Sequence, residues 1–187
     1  MRWFWIDRFL EFESGRRAVA VKNVSYAEEQ IPDYALSMPI MPGSLILEGM
    51  AHTGGLLVAE NGGFLHRVVL AKVGKILFHD YATPGDQLIY TSEIQAFQPR
   101  GALVHSTAHL DGLLMAEADV VFAHLDERFA GIQLYDPAEY LGILRSYRLF
   151  EVGIRSDGRP IEVPEHMLDA ERRWLDTERQ RCAKQSP

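Results

Sequence analysis

A chain of 187 residues is long enough for one domain of about 130 residues and an appended segment. The net charge of −7 gives no general attraction to nucleic acid or to an anionic membrane, so we expect neither as a partner. The single cysteine, Cys182, excludes an intrachain disulfide and fits a reducing compartment. The apolar run at residues 3–6 is too short for a signal peptide or a membrane span, so we expect a soluble cytoplasmic protein.

The first predicted element is a β-hairpin within residues 7–24. Residues 18–24 have the composition of a strand, and the Ser14-Gly15 pair marks the turn. Residues 25–38 have few periodic apolar positions, which indicates a loop. The hairpin and the loop lead into the most apolar stretch of the chain.

This stretch, residues 44–60, predicts a buried helix. Pro42 and Gly43 interrupt the loop before it, and Ser44 belongs to the residue types that cap helix N-termini. The glycines that follow Asn61 supply a left-handed C-cap. Because apolar residues occupy almost every face, the helix needs cover on all sides. A curved antiparallel sheet can cover one side, and a second copy of the chain can cover the other.

Glu48 and His52 are the only ionisable residues between Gly43 and Glu60. They are four residues apart and therefore lie on one face of the helix. A carboxylate in apolar surroundings loses hydration, which favours the protonated form that a general acid needs. A structural glutamate paired with a partner is the alternative. The pair could also be half of a metal site, but no further ligand has suitable spacing, so we expect neither a metal nor a cofactor.

Four strand-like segments follow the helix. They cover residues 67–73, 87–97, 102–110 and 113–124. Asp111-Gly112 between the last two is a strong hairpin signal, and the turn at Pro84-Gly85 leads the chain into the second segment. The order of elements therefore predicts an α+β fold in which a hairpin and an antiparallel meander surround one long helix.

Residues 126–187 predict a mostly helical extension to a first domain of residues 1–125. A helix is expected over residues 136–150, capped by Asp136 and with proline at its first helical position. A second, highly charged helix is expected over residues 164–181. Three roles for the extension stay open: packing over one end of the site, bracing a dimer and docking a partner.

Three stretches within about residues 5–125 resemble the 3-hydroxyacyl-acyl-carrier-protein dehydratases of the FabZ/FabA type. They are residues 7–24, residues 39–51 and residues 75–88. The most specific is the Pro-Ile-Met-Pro-Gly-x4-Glu-x-Met-Ala block that starts at Pro39. The resemblance implies a hotdog fold, in which an antiparallel sheet wraps around one central helix. It also implies a homodimer with a continuous sheet, often assembled into a trimer of dimers.

The same resemblance implies the chemistry. In this family an acyl thioester on acyl carrier protein or coenzyme A enters a tunnel between protomers, where a histidine and a helix carboxylate eliminate water. Glu48 occupies the position of that carboxylate. Gly43 matches the glycine whose N–H holds the thioester carbonyl at the helix N-terminus, and Pro42 and Ser44 flank it as substrate-binding positions.

The chain departs from the family pattern at two positions. Tyr34 stands where the family has its catalytic histidine, and a phenol is mostly protonated at neutral pH and therefore a poor base. His52 stands where the family usually has glutamine. His52 could form a relocated catalytic pair with Glu48, or it could replace the amide as a hydrogen-bonding group, and both interpretations stay open.

Two classes of function follow. The first is an enzyme of fatty-acid or related acyl-chain biosynthesis, either a dehydratase with an altered catalytic pair or a hotdog thioesterase. The second is a non-catalytic acyl-binding or structural subunit, for which an active paralogue could supply the missing histidine across the interface. The intact surroundings of Glu48 favour the enzyme, because a buried carboxylate is costly to desolvate without a role.

Overall fold

The computed structural model describes residues 5–31, 38–125 and 135–185. The elements in chain order are β1 (Arg8–Glu13), β2 (Arg17–Asn23), α1 (Gly43–Asn61), β3 (Val68–Phe78), β4 (Gln87–Gln98), β5 (Gly101–Leu110), β6 (Leu113–His124), α2 (Pro137–Ser146), α3 (Leu149–Val152), β7 (Gly153–Ile154) and α4 (Glu165–Gln185).

The strands form one seven-stranded sheet in the order β3-β6-β5-β4-β2-β1-β7. Every pairing is antiparallel except that of β7, which runs parallel to β1. Helix α1 contacts strands β2 to β6, so the sheet curves around it. The predicted α+β hotdog arrangement, with a mostly helical C-terminal part, is confirmed.

Helix α1 lies close to the sheet because it presents a glycine to the sheet and accepts a hydrogen bond from a buried serine. A Cβ atom added at Gly49 would stand 2.5 Å from the ring of the fully buried Tyr90, so only glycine fits beneath that ring. The Ser92 hydroxyl donates to the backbone oxygen of Met50 at 3.3 Å and lies 2.8 Å from the Ser106 hydroxyl. These buried hydrogen bonds fix the helix to strands β4 and β5.

The ends of α1 differ from the sequence prediction. The helix begins at Gly43, with Pro42 at the N-cap position and no side-chain hydrogen bond to the cap. The expected cap, Ser44, is therefore a helical residue, because the proline already turns the chain into the helix. At the other end Gly62 has φ −91°, and the left-handed residue is Gly63 with φ 62°.

The strands follow the predicted order, and one of them is longer than predicted. Strand β3 was expected over residues 67–73 but continues to Phe78. Its pairing with β6 shifts register twice, once after Leu70 and once after Val73. These bulges break the alternation of side chains on which the prediction depended. The hairpin at Asp111 forms as expected, with φ 50° at that residue.

Helix α2 begins as predicted but ends early. The Asp136 carboxylate accepts hydrogen bonds from the backbone N–H of Ala138 at 2.9 Å and of Glu139 at 3.1 Å. The helix expected over residues 136–150 is divided, because Arg148 adopts a left-handed conformation with φ 58°. A short helix, α3, then leads directly into β7.

The C-terminal extension packs into the core. Leu141, Leu144 and Leu149 are fully buried within the same apolar cluster as α1 and β1. Helix α4 lies against α2 through the Arg145–Glu171 ion pair. The core is continuous between the two parts of the chain, and the division into domains at residue 125 stays a prediction. No helix within the described ranges is long and apolar enough to cross a membrane.

Candidate functional site

One stripe of α1 is only partly covered by its own chain. Ser44 and Glu48 are exposed, and His52 and Gly55 are half-buried on the same face, whereas the opposite face is buried against the sheet. The prediction that Glu48 is buried is therefore wrong for a single protomer, because its side chain is exposed within the described part of the chain. Any desolvation of the carboxylate has to come from a second molecule.

The stripe opens into a cavity of about 300 Å³. Its walls come from α1, β3, β6 and the C-terminal extension: Glu48, Ala51, His52, Gly55, Leu56, Ala59, His66, Val68, Leu70, Phe122, Tyr135 and Tyr140. Glu48 and His52 are thus brought to one wall, as their spacing predicts. The other lining groups are mainly apolar or aromatic, which suits the hydrocarbon part of a substrate.

His52 is held in an apolar environment. Its ring packs edge-to-face on that of Tyr147, with the ring centroids 5.5 Å apart. Burial lowers the pKa of His52 from 6.5 to about 4, because the imidazolium form loses its hydration. The imidazole is therefore neutral at physiological pH and can donate or accept a hydrogen bond, but it is a weak proton acceptor.

The N-terminus of α1 lies beside the end of β3. A Cβ atom at Gly43 would stand 3.0 Å from the ring of Phe78, so the glycine gives this aromatic ring room over the first helical turn. The backbone N–H groups of Leu45 and Ile46 already donate to the Pro42 carbonyl. The N–H groups of Gly43 and Ser44 precede these two at the helix N-terminus, where the backbone of a helix can hold an anionic or carbonyl oxygen.

Tyr34, predicted in place of the family histidine, lies outside the described residues. Within the described residues, no group of three or more His, Cys, Asp or Glu side chains is placed to bind a metal ion.

Sequence reasoning missed several residues of the cavity. Tyr135 and Tyr140 come from the extension and reach the cavity only through the packing of α2, for which residue spacing gives no signal. Phe122 and His66 line the same cavity from β6 and from the segment between α1 and β3.

Comparison with known proteins shows the family of the chain. A family model described as a FabA-like domain matches residues 3–123. The 3-hydroxyacyl-[acyl-carrier-protein] dehydratase FabZ of Helicobacter pylori is 37% identical over 122 residues, which cover 62% of this chain and 77% of the relative.

Solved structures share the fold at lower identity. A Streptococcus mutans protein bound to acetyl-CoA superposes with a TM-score of 0.55 and 17% identity, covering 67% of this chain and 93% of that protein. A hypothetical thioesterase of Streptococcus pneumoniae, solved with coenzyme A, gives a TM-score of 0.53 and 13% identity over 63% of this chain and 84% of its own. From the family model and the FabZ relative, the chain belongs to the FabA-like family and is a 3-hydroxyacyl-[acyl-carrier-protein] dehydratase-like protein.

Proposed function

We propose that the protein eliminates water from a 3-hydroxyacyl thioester in the cavity beside Glu48 and so forms a trans-2-enoyl thioester. The observation that carries this proposal is the position of Glu48 on the wall of an apolar cavity, five residues after the helix N-terminus at Gly43. The carboxyl group protonates the departing 3-hydroxyl, while the N–H groups around Gly43 hold the thioester carbonyl and the charge that develops on it. Pro42 and Ser44 shape the same turn.

The C2 proton goes to the group at the family's base position, where a tyrosine accepts it only in its phenolate form, a minor form at neutral pH. The low pKa of His52 makes it a weak base, which favours a hydrogen-bonding role beside Glu48 over a relocated catalytic pair. Tyr34 occupies the family's base position, and a paralogue in a heteromer could supply a histidine there instead. We therefore assign proton transfer to Glu48, positioning to His52 and the base position to Tyr34.

Two substitutions separate these roles. We expect His52→Gln to change turnover by less than about tenfold, whereas loss of a general base costs about 10² or more. We expect Tyr34→His to raise turnover, because imidazole titrates near neutral pH. A loss of about 10² in His52→Gln, with Tyr34→Phe unaffected, would make His52 the working base.

We also propose a homodimer. Among the described strands β3 pairs only with β6, so its other edge is open, and it carries the exposed side chains of Leu70, Leu77 and Phe78. Pairing of two such edges would make one continuous sheet and bring a second chain towards the open stripe of α1. Dimers of this kind could assemble further into a trimer of dimers.

Light scattering with purified protein tests the dimer. We expect the mass of a dimer or of a multiple of it, and Leu77→Glu should weaken the association. Tyr26→Glu is the matched control, since Tyr26 is exposed in the segment after β2. A monodisperse monomer at micromolar concentration would remove this part of the proposal.

The natural carrier is acyl carrier protein or coenzyme A, and we propose a cytoplasmic site for the reaction. The experiment that tests the function offers both carriers, as 3-hydroxyacyl and trans-2-enoyl thioesters, and follows enoyl absorbance together with free thiol. Interconversion of the two thioesters is the expected result. Release of thiol alone would support a thioesterase. The similarity to the Streptococcus pneumoniae protein concerns the fold only. Binding without any reaction would support a non-catalytic subunit.

A further inference from the structure

The cavity beside Glu48 extends along α1 and ends at the C-terminal extension. Its helical wall runs from Glu48 to Ala59, which at a rise of about 1.5 Å per residue corresponds to roughly 16 Å. The Tyr140 ring meets that of Phe64, whose backbone N–H donates to the Ala59 carbonyl at 2.8 Å, so Tyr135 and Tyr140 line the cavity at its Ala59 end. Both tyrosines lie beyond residues 3–123, the part of the chain that matches the family model.

The two tyrosines form a fixed closure. Their rings are stacked with centroids 4.2 Å apart, and the Tyr140 ring also meets that of the buried Phe64 edge-to-face at 5.9 Å. Phe64 itself follows α1, so the closure is attached to the helix that carries Glu48. The side chain of Asp136, which lies between Tyr135 and helix α2, fixes the start of that helix by its cap.

The side chains at the Ala59 end of the cavity are suited to contact a hydrocarbon chain. Leu56, Val68 and Phe122 provide apolar walls beside the tyrosine pair. Burial raises the pKa of Tyr135 and of Tyr140, so both phenols are uncharged over the physiological range. The volume of about 300 Å³ lies at the small end of the roughly 300–1,000 Å³ range of ligand sites.

We infer that the stacked pair Tyr135–Tyr140 closes the acyl pocket and sets an upper limit on chain length, so that the substrates are thioesters of medium-length acyl chains that end within the protomer. This inference rests on the proposed function, because it takes the thioester to be at Glu48 and the chain to point along α1. The extension is then a specificity element of the site, and long acyl chains are excluded by contact with the two rings.

Binding of saturated acyl-CoA thioesters tests this limit without requiring turnover, since they carry no 3-hydroxyl to eliminate. Calorimetric titration with a series lengthened by two carbons at a time should show affinity rising by about fourfold per methylene and then levelling or falling. Tyr135→Ala and Tyr140→Leu should move this limit to longer chains by at least two carbons. Trp174→Ala, on the exposed face of α4, is the control and should leave the limit unchanged.

Tyr135→Ala decides the matter if Tyr140→Leu fails to fold, because Tyr135 is half-buried and outside the regular helix. An unchanged limit, or an equal loss of affinity at every chain length, would overturn the inference. Turnover of enoyl thioesters with no limit on length would overturn it while leaving the proposed function intact. If the tyrosine variants bind longer chains but the protein has no dehydratase turnover, the inference stands and the proposed function is overturned. Absence of binding at all lengths, with acyl-CoA and with acyl carrier protein thioesters alike, would overturn both.

Discussion

The two faces of helix α1 have different roles: one packs against the sheet, and the other lines the candidate site. The face towards the sheet carries Gly49, Met50 and Thr53, all buried, and it tolerates no added atom beneath Tyr90. The open face carries Glu48, whose side chain is exposed within the described part of the chain. Packing therefore fixes the first face, and the second is free to carry chemistry. Substitutions on the two faces should separate stability from activity, and the predictions below are ordered by the size of that effect.

The largest effect is expected on the open face. Glu48→Gln should lower turnover by about 10² or more, because the amide cannot transfer a proton to the leaving hydroxyl. The free energy of unfolding should change by less than about 0.5 kcal/mol, since the side chain is exposed in the protomer. Steady-state kinetics and urea denaturation measure the two quantities.

The matched control for this change is Glu60→Gln. Glu60 lies on the same helix but outside the lining of the cavity, so its substitution should leave turnover near that of the parent protein. Equal losses in both variants would mean that the effect is structural and would break the distinction between the two faces.

The next effect is expected on the buried face. Gly49→Ala should lower the free energy of unfolding by about 1–3 kcal/mol, because the new methyl group meets the buried Tyr90 ring. Gly142→Ala is the control: no atom lies within 4 Å of its added Cβ, and alanine should stabilise α2 by up to about 1 kcal/mol. Thermal unfolding of both variants measures the difference. A Gly49→Ala variant as stable as the parent would contradict the close packing of this face.

His52 lies on the open face but is half-buried against the ring of Tyr147. Its pKa is about 4 in the folded chain and 6.5 when unfolded, so the unfolded chain binds the proton first as the pH falls. The stability that neutral His52 contributes is complete above pH 6.5 and is lost as the pH falls towards 4. The loss amounts to at most about 3 kcal/mol.

His52→Gln should therefore flatten the fall in stability on acidification. Denaturation curves at several pH values between neutrality and pH 4 provide the measurement. His166→Gln, an exposed histidine on α4, should leave the pH dependence as it is. A parent protein and a His52→Gln variant with the same pH dependence would mean that His52 is hydrated in solution.

The smallest effect is expected at Ser44. Because Pro42 rather than Ser44 occupies the N-cap position, Ser44→Ala should change the free energy of unfolding by less than about 0.5 kcal/mol. Loss of a true capping side chain would cost about 1 kcal/mol. Chemical denaturation distinguishes the two values, and the larger one would restore the original interpretation of Ser44 as the cap.

Much of the fold could be predicted because its signals are local. The apolar run of α1, the Asp111-Gly112 turn and the Asp136 cap each depend on neighbouring residues only. The length of β3 could not be predicted, because its bulges are set by the pairing with β6. The break at Arg148 was missed for a similar reason: the turn allows buried Leu149 and strand β7 to reach the core beside β1.

The candidate site was predictable where it follows helix spacing and unpredictable where it depends on tertiary packing. The spacing of Glu48 and His52 was enough to place them on one wall of the cavity. The exposure of Glu48 was missed, because an all-round apolar helix does not reveal which neighbour covers which face. The aromatic end of the cavity was missed because residues far apart in sequence build it.

Deuterium incorporation tests the central claim most directly. A trans-2-enoyl thioester is incubated with the protein in D₂O, and the product is analysed by mass spectrometry. Hydration should give a 3-hydroxyacyl thioester with one deuterium on C2, and the Glu48→Gln variant should form it at least about 10² more slowly. Free thiol without deuterated hydroxyacyl product, or equal rates for the parent protein and the variant, would contradict a dehydratase that works through Glu48.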